Sequence, residues 1–297
     1  MIYTVTLNPA LDYALYLSDF RPGETNRTVR EVLSFGGKGI NVSAVLAALG
    51  EPTVALGFAA GHTGEMLKGM LKEAAVGEEL IMLPLGATRI NVKIKAESET
   101  ELNGTGPSVD DGSLARLFAQ IAKIKAGDTL VLAGSVPPSL PPDIYKRMAE
   151  ALPEGVRLVV DAERAALLPV LASSPYLVKP NRAELAEIAG RSLLTDAEVE
   201  AAARELQAAG AKNVLVSLGA DGALLLDETG VPHRAPAAKG RAVNTVGAGD
   251  AMVAGFLYGA CKGYAHALRM GIAAGGATAF GEGLADATRI YEVLQKL

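Results

Sequence analysis

The amino-acid sequence predicts an α/β fold in which a mostly parallel central sheet lies between layers of helices, with a small additional β-sheet. The first observation is alternation: short apolar runs at 2–7, 53–58, 129–134, 156–162, 176–179, 214–218 and 223–227 are separated by longer stretches of helical spacing. The second is that most runs are apolar on both faces, as parallel strands covered on each side must be. The third is punctuation. The helical stretches 40–49 and 195–209 close on Gly50 and Gly210, and 113–124, 143–151 and 183–189 complete the set. Residues 251–297 read as helices rich in Gly and Ala, suited to close packing.

Two regions break this rhythm. Residues 12–35 and 88–103 alternate apolar and polar, as in "RINVKIKAESETELN". With a period of two, Ile90, Val92 and Ile94 face one way and Arg89, Asn91, Lys93 and Lys95 the other. We expect a small β lid, wet on its polar side, attached to one α/β domain spanning 1–297.

Composition narrows the function. At 297 residues and 49% hydrophobic the chain can bury a large core. A formal net charge of −5 provides no basic field for a nucleic-acid backbone, so an anionic ligand must be held by local donors. The single cysteine, Cys261, excludes a disulfide framework and reads as a core residue within "AMVAGFLYGAC". His62, His233 and His266 show no metal-ligand spacing. The N-terminus lacks the features of a signal peptide and no apolar run is long enough for a membrane span, so a cytoplasmic protein is expected.

Several short stretches carry chemistry. In "VNTVGAGDAMVAGF" (243–256), Asp250 directly follows Gly247, Ala248 and Gly249 where helical spacing begins. No P-loop string exists, and the third glycine of a dinucleotide fingerprint is replaced by Met252. Two readings stay open. Either the amides of 247–250 form an anion hole at a helix N-terminus with Asp250 as general base, or Asp250 is simply the helix cap. In "SFGGKGIN", Gly36, Gly37 and Gly39 clear space ahead of a helix, with Lys38 and Asn41 beside it. The same loop also reads as an ordinary glycine turn. "TLNPALDY" leaves the first strand at its carboxyl end, where open α/β sheets place ligands, and Asp12 could accept from vicinal hydroxyls. "VSLGADGALL" reads either as a plain hairpin turn or as a turn beside which an adenine or ribose could lie. "VKPNRAEL" reads either as a helix start with an acidic first turn or as a site where Lys179, Asn181 and Glu184 meet phosphates and, through water, a metal.

The order of these stretches along the chain, with "TRINVK", "LNGTGP" and "GSVPPSL" between them, resembles the ribokinase-like (PfkB-type) sugar kinase family. The phosphosugar branch, 1-phosphofructokinase and tagatose-6-phosphate kinase, looks most similar. The resemblance spans Thr6 to beyond Phe280. It implies a ribokinase-like three-layer fold with a β lid that often pairs with that of a second subunit, giving a homodimer. It implies transfer of a phosphoryl group from ATP, with Mg2+, to a phosphosugar, foremost fructose 1-phosphate to fructose 1,6-bisphosphate. The alternatives are a tagatose-6-phosphate kinase or a non-catalytic sugar-phosphate-binding regulator.

Carried over by matching residues, Asp250 would be the base and Gly247, Ala248 and Gly249 part of the anion hole. Asp12, Gly37, Lys38, Asn41 and Asn91 would hold the sugar. Arg89, Lys93 and Arg27, the last from a partner subunit, would meet its phosphate. Lys179, Asn181, Ser217, Gly219, Ala220 and Gly222 would line the nucleotide, and Glu184 would help place magnesium. Two departures stand out. Asn244 replaces the family's usual Asp at the head of the anion-hole motif, and "DAERAAL" (161–167) replaces its Asp-x-Ser-Gly loop.

Overall fold

The computed structural model describes residues 1–297. In chain order the elements are β1 (Ile2–Thr6), β2 (Ala10–Tyr16), β3 (Arg30–Gly36), α1 (Lys38–Ala48), β4 (Thr53–Ala60), α2 (Gly61–Glu73) and β5 (Gly77–Leu83). Next come β6 (Arg89–Lys95), β7 (Glu99–Asn103), α3 (Asp111–Ile121), β8 (Thr129–Ala133), α4 (Ile144–Glu150), β9 (Arg157–Asp161), α5 (Arg164–Leu167) and β10 (Leu177–Val178). The chain then runs through α6 (Arg182–Ala189), α7 (Asp196–Ala208), β11 (Asn213–Ser217), β12 (Ala223–Leu226) and β13 (Pro232–Ala235). It ends in α8 (Ala248–Gly259), α9 (Tyr264–Ala279) and α10 (Ala287–Leu294).

Nine strands form the main sheet in the order β13-β12-β11-β10-β9-β8-β1-β4-β5. All neighbours are parallel except β11–β12 and β12–β13. The α/β prediction therefore holds, and the mechanism is visible in alternate residues of single strands. On β8, Leu130 and Leu132 join a buried cluster with Leu117 of α3 and Met148 of α4, while Val131 joins one with Val45 of α1 and Val253 of α8. Covering both faces requires apolar residues at every position, which is why these strands carry no polar alternation. The glycine-rich C-terminal segment behaves as expected: a Cβ at Gly255 would sit 2.4 Å from the carbonyl oxygen of Met270, so α8 and α9 pack at backbone contact.

Four elements have no counterpart in the sequence reading, the four-residue helix α5 among them. Helix α2 buries only Gly64, Leu67 and Leu71, a narrow stripe hidden among charges. Strand β5 is an edge strand that opens Gly-Glu-Glu, and β13 carries His and Arg on the opposite edge. Cys261 also departs from expectation. It lies in a 3-10 turn after α8 and is exposed, because the apolar helix has already ended at Gly259.

The second sheet runs β3-β2-β6-β7, with β2 and β6 parallel and the other pairs antiparallel. Its register puts Asp12 opposite Asn91 and Ser34, and Ala14 opposite Lys93 and Val32, all on one face. The period-two alternation holds, but solvent lies on the other side from the one expected. Asn91 is buried, whereas Ile90, Leu33 and Leu102 on the apolar face are exposed by 41–57%. The polar face turns inward over a cavity, and the apolar face is partly outward: Ile94 and Leu11 on it are buried, Leu11 against Ile40 of α1. No helix of the protein is long and apolar enough to cross a membrane.

Candidate active site

The carboxyl ends of β1, β9, β10 and β11 point to the same edge of the sheet because these strands belong to its parallel part. That edge receives α1 and α8, and the second sheet covers it.

Gly247 is the N-cap of α8, at φ 80°, and no side chain caps this helix. The reading of Asp250 as a cap is thereby excluded. Asp250 lies in the first turn, 6% exposed, and accepts a hydrogen bond from Asn41 Nδ2 at 2.8 Å. The Ala248 amide donates to Thr245 O, so it is not an open donor. The amides of Gly247, Gly249 and Asp250 have no partner within the protein and are the ones free to meet an anion. A Cβ at Gly249 would lie 3.3 Å from Lys179 Nζ, so glycine here lets a lysine lie alongside the helix start.

Asp161, at the end of β9 and 1% exposed, joins the two lysines. Lys38 Nζ lies 3.1 Å and Lys179 Nζ 3.5 Å from its Oδ1, while its buried Oδ2 has no partner. Burial pushes the Asp250 carboxyl up to about 6, and the neighbouring Asp161 charge pushes the same way. The Asn41 hydrogen bond, Lys38 and Lys179 pull it down. Burial works against the Lys38 ammonium too, but Asp161 and Asp250 outweigh it and raise Lys38 above its ordinary value. Asp161 is the functional residue that the sequence reading missed. The one signal available was an apolar strand ending in Asp, in a loop that departs from the family pattern.

The glycines of "GGKG" turn out to serve packing. A Cβ at Gly36 would strike the Asp12 carboxylate at 2.6 Å, and one at Gly37 (φ 120°) would strike Thr6 Cγ2 at 2.7 Å. At Gly39 it would meet Thr6 Oγ1 at 2.6 Å. These contacts seat the N-terminus of α1 on β1, where Ile40 N donates to Thr6 Oγ1 at 3.0 Å, and that seating aims Lys38 and Asn41.

Under the second sheet lies a cavity of about 270 Å³ whose walls include Asp12, Asn41, Lys93, Lys95, Asn244 and Glu282. Asn91 Nδ2 donates to Asp12 Oδ1 at 2.9 Å, and Lys93 Nζ is 3.7 Å from Asp12 Oδ2 and 3.9 Å from Glu101. Arg89 is tied to backbone: Nε donates to Asn8 O at 3.1 Å and Nη1 to Gly104 O at 3.3 Å. Burial lowers its guanidinium from its usual value, with Asp12 opposing. Arg27 does not join this group. It is exposed on the loop between β2 and β3, with no hydrogen bond or ion pair to the cavity. Asn244 is held locally, accepting from Val246 N and donating to Glu282 O, each at 3.1 Å.

The remaining candidate residues lie at the start of α6 and in the turn between β11 and β12. Asn181 caps α6 in a reciprocal capping box with Glu184: its side chain accepts from Glu184 N at 2.9 Å, and its own N–H donates to Glu184 Oε2 at 2.7 Å. Asn181 bridges Ser217 in the sheet, and Arg182 Nη2 reaches Asp221 Oδ2 at 2.9 Å, locking α6 to the 3-10 turn Gly219–Asp221 that contains Ala220. Gly219 (φ 61°) and Gly222 (φ 93°) make the hairpin turn possible. A Cβ at Gly222 would lie 2.1 Å from Ala235 O.

The whole arrangement has close relatives. A family model described as pfkB family carbohydrate kinase matches residues 5–289. The chain is 42% identical over 300 residues to 1-phosphofructokinase of Bacillus subtilis, covering 100% of this chain and 98% of the relative. It is 36% identical to D-tagatose-1-phosphate kinase of Bacillus licheniformis, covering 100% and 98%. Among solved structures, Escherichia coli phosphofructokinase-2 in complex with substrates and products superposes with a TM-score of 0.93 at 31% identity, covering 99% of this chain and 98% of that one.

Removing the shared carboxylate strands two cations, one of them 5% exposed. Asp161→Ala is expected to lower the unfolding free energy by about 3–5 kcal/mol, the cost of breaking a buried pair from one side. Removing Glu205 from the exposed Arg191–Glu205 pair should cost less than about 1 kcal/mol. Urea unfolding of both variants compares them, and equal midpoints would mean that Asp161 does not hold the lysines in place.

Proposed function

This chain belongs to the pfkB family of carbohydrate kinases, and we propose that it transfers the γ-phosphoryl group of ATP to the C6 hydroxyl of fructose 1-phosphate, giving fructose 1,6-bisphosphate. The observation that carries this reading is Asp250. It is a buried carboxylate beside three open amides, and it is hydrogen-bonded to Asn41 on the wall of a cavity rimmed by lysines. Whole-length similarity to proteins named 1-phosphofructokinase supports the choice of sugar.

Phosphoryl transfer asks the protein mainly for positioning and charge stabilisation. Asp250 takes the proton of the attacking hydroxyl. The amides of Gly247, Gly249 and Asp250, with Lys179 beside them, face the charge of the transferring group. Asp12, Asn91 and Asn41 present donors and acceptors to the sugar hydroxyls, and Lys93 and Lys95 supply positive charge for the phosphate it already carries. Arg89 acts through the Asn8 and Gly104 loops that it ties together. Lys179, Asn181 and the turn Ser217–Gly222 border the nucleotide.

Magnesium fits the Glu184 carboxylate, whose Oε1 is left over after the capping-box contact made by Oε2. This ion prefers one or two carboxylates completed by phosphate oxygens and water. Held by Glu184, it would neutralise charge on the nucleotide phosphates.

The outward apolar face of the second sheet, with Leu33, Ile90 and Leu102 exposed, supports a homodimer in which two such sheets cover each other. The inner polar faces then remain over the two cavities. Leu33→Glu combined with Leu102→Glu should convert the dimer to monomer in sedimentation experiments; a monomeric parent would end this reading.

Similarity to a D-tagatose-1-phosphate kinase favours one alternative sugar, and the two ketose phosphates differ in the hydroxyl configuration read by Asp12 and Asn91. ATP turnover across both ketose 1-phosphates, tagatose 6-phosphate and unphosphorylated fructose tests the assignment, with the highest kcat/KM expected for fructose 1-phosphate. A preference for unphosphorylated sugar would reject it. Lys93→Ala should raise the sugar KM about ten- to a hundredfold and leave the ATP KM unchanged, the value of one charge-assisted contact.

Asp250→Asn keeps the size of the side chain and removes the base. Its kcat is expected to drop about 10²–10⁴-fold. The melting temperature at pH 7 should stay level or rise, because the raised carboxyl value means the folded state takes up its proton sooner than the unfolded chain and gives up stability as pH rises through that window. In the parent, kcat/KM should fall tenfold per pH unit below about 6, where Asp250 becomes protonated. Near-parental turnover by Asp250→Asn, or an acid limb that it retains, would remove Asp250 from the role of base.

A further inference from the structure

The only ion pair that joins the second sheet to the helical body lies at the mouth of the cavity. Arg30, the first residue of edge strand β3, donates from Nη1 to Glu282 Oε1 at 2.8 Å and from Nη2 to Oε2 at 2.5 Å, across 252 residues of sequence. The guanidinium is oriented in advance by the Tyr16 ring, whose centroid is 5.0 Å away on the neighbouring strand. Glu282 is held from the other side, since its carbonyl oxygen accepts from Asn244 Nδ2 and Asn244 Oδ1 in turn accepts from Val246 N, the residue before Gly247. Leu284, two residues on, fills the space a Cβ at Gly247 would need, 2.7 Å from that position. Glu282, Asn244, Val246 and Tyr16 all line the cavity.

We propose that the Arg30–Glu282 pair is the latch of the sugar cavity and that both are positioning residues. Through Asn244, Val246 and Leu284, the contact that closes the lid strand also sets the loop presenting the open amides of α8. Lid closure and placement of those amides are then a single event. A sugar in the cavity is what stabilises the latched form, and without it ATP meets a less ordered anion hole. Both partners are about half exposed, so the pair acts in a salt-sensitive range, and its bidentate, stacked geometry separates it from ordinary surface pairs.

The test uses Arg30→Glu, Glu282→Arg and the double exchange that restores the pair in reverse. Each single variant is expected to raise the sugar KM about three- to tenfold with the ATP KM unchanged, and the double exchange to return it to within about twofold of the parent. Raising salt from 50 to 500 mM should increase the parent sugar KM more than that of either single variant. The kinetic arm rests on the kinase reading. Hydrogen exchange measured without ligands does not: the amides of 30–36 and 243–247 should exchange faster in both single variants and recover in the exchange. A parent that turns over no sugar phosphate would reject the functional reading and leave the exchange measurement to judge the latch. Parental exchange rates in the single variants, or a double exchange no better than either single one, would overturn the latch itself.

Discussion

The role proposed for Asp250 sets the constraint on which the rest of this architecture depends: a carboxylate must stand where a polyanionic phosphate arrives. Asp250 is almost fully desolvated, and desolvation, with the neighbouring Asp161 charge, pushes its carboxyl toward the protonated form, which cannot act as a base. Asn41, Lys38 and Lys179 offset that tendency enough to bring the carboxyl to about 6. It is then mostly ionised at neutral pH yet more basic than an exposed aspartate. The lysines face the mirror-image difficulty, because buried ammonium groups lose their own hydration. Asp161 between them supplies the counter-charge. Two carboxylates and two ammonium groups therefore form one balanced cluster in which removal of any member changes the others.

Bringing these four groups together depends on the parallel sheet. Asp161 ends β9, Lys179 follows β10 by one residue, and Lys38 and Asn41 belong to the helix packed on β1. Parallel strands deliver their carboxyl ends to one edge, so residues more than 200 positions apart meet without a long loop. Glycine does the rest by permitting backbone to approach backbone. Without Cβ atoms at Gly37 and Gly39, α1 sits directly on Thr6, and Gly255 lets α8 meet α9 in the same way.

The second sheet solves a different problem. A cleft that must exclude water during phosphoryl transfer needs a cover, and a cover over polar ligands needs a polar underside. The register of β2, β3 and β6 puts Asp12, Asn91, Ser34 and Lys93 on that underside, which places Leu33 and Ile90 of the same strands on the opposite face, where they are exposed. An exposed apolar face is unfavourable in an isolated chain, and the proposed pairing with a second copy would remove it from water.

Periodicity along the chain was enough to specify the layers, most strands of the main sheet, the five helical stretches between them and the existence of a separate small sheet, because each depends on local spacing and two-sided burial. Helices α2 and α5 and the edge strands β5 and β13 escaped it, since elements that are very short, or that have one narrow apolar stripe or a solvated edge, look locally like loops. The order of short motifs pointed to the family and to Asp250, Asn41, Lys38 and Lys179. Local sequence could not say that Gly247 rather than Asp250 starts α8, that the glycines of "GGKG" meet Thr6 and Asp12, or that Cys261 lies beyond the buried helix. Nor could it reveal Asp161 as the shared partner of two lysines, the inward turn of the lid's polar face, or the meeting of Arg30 with Glu282. Each of these depends on which distant residue occupies the adjoining space. Burial, counter-charge and steric contact are properties of pairs, and the folded chain alone chooses the partner.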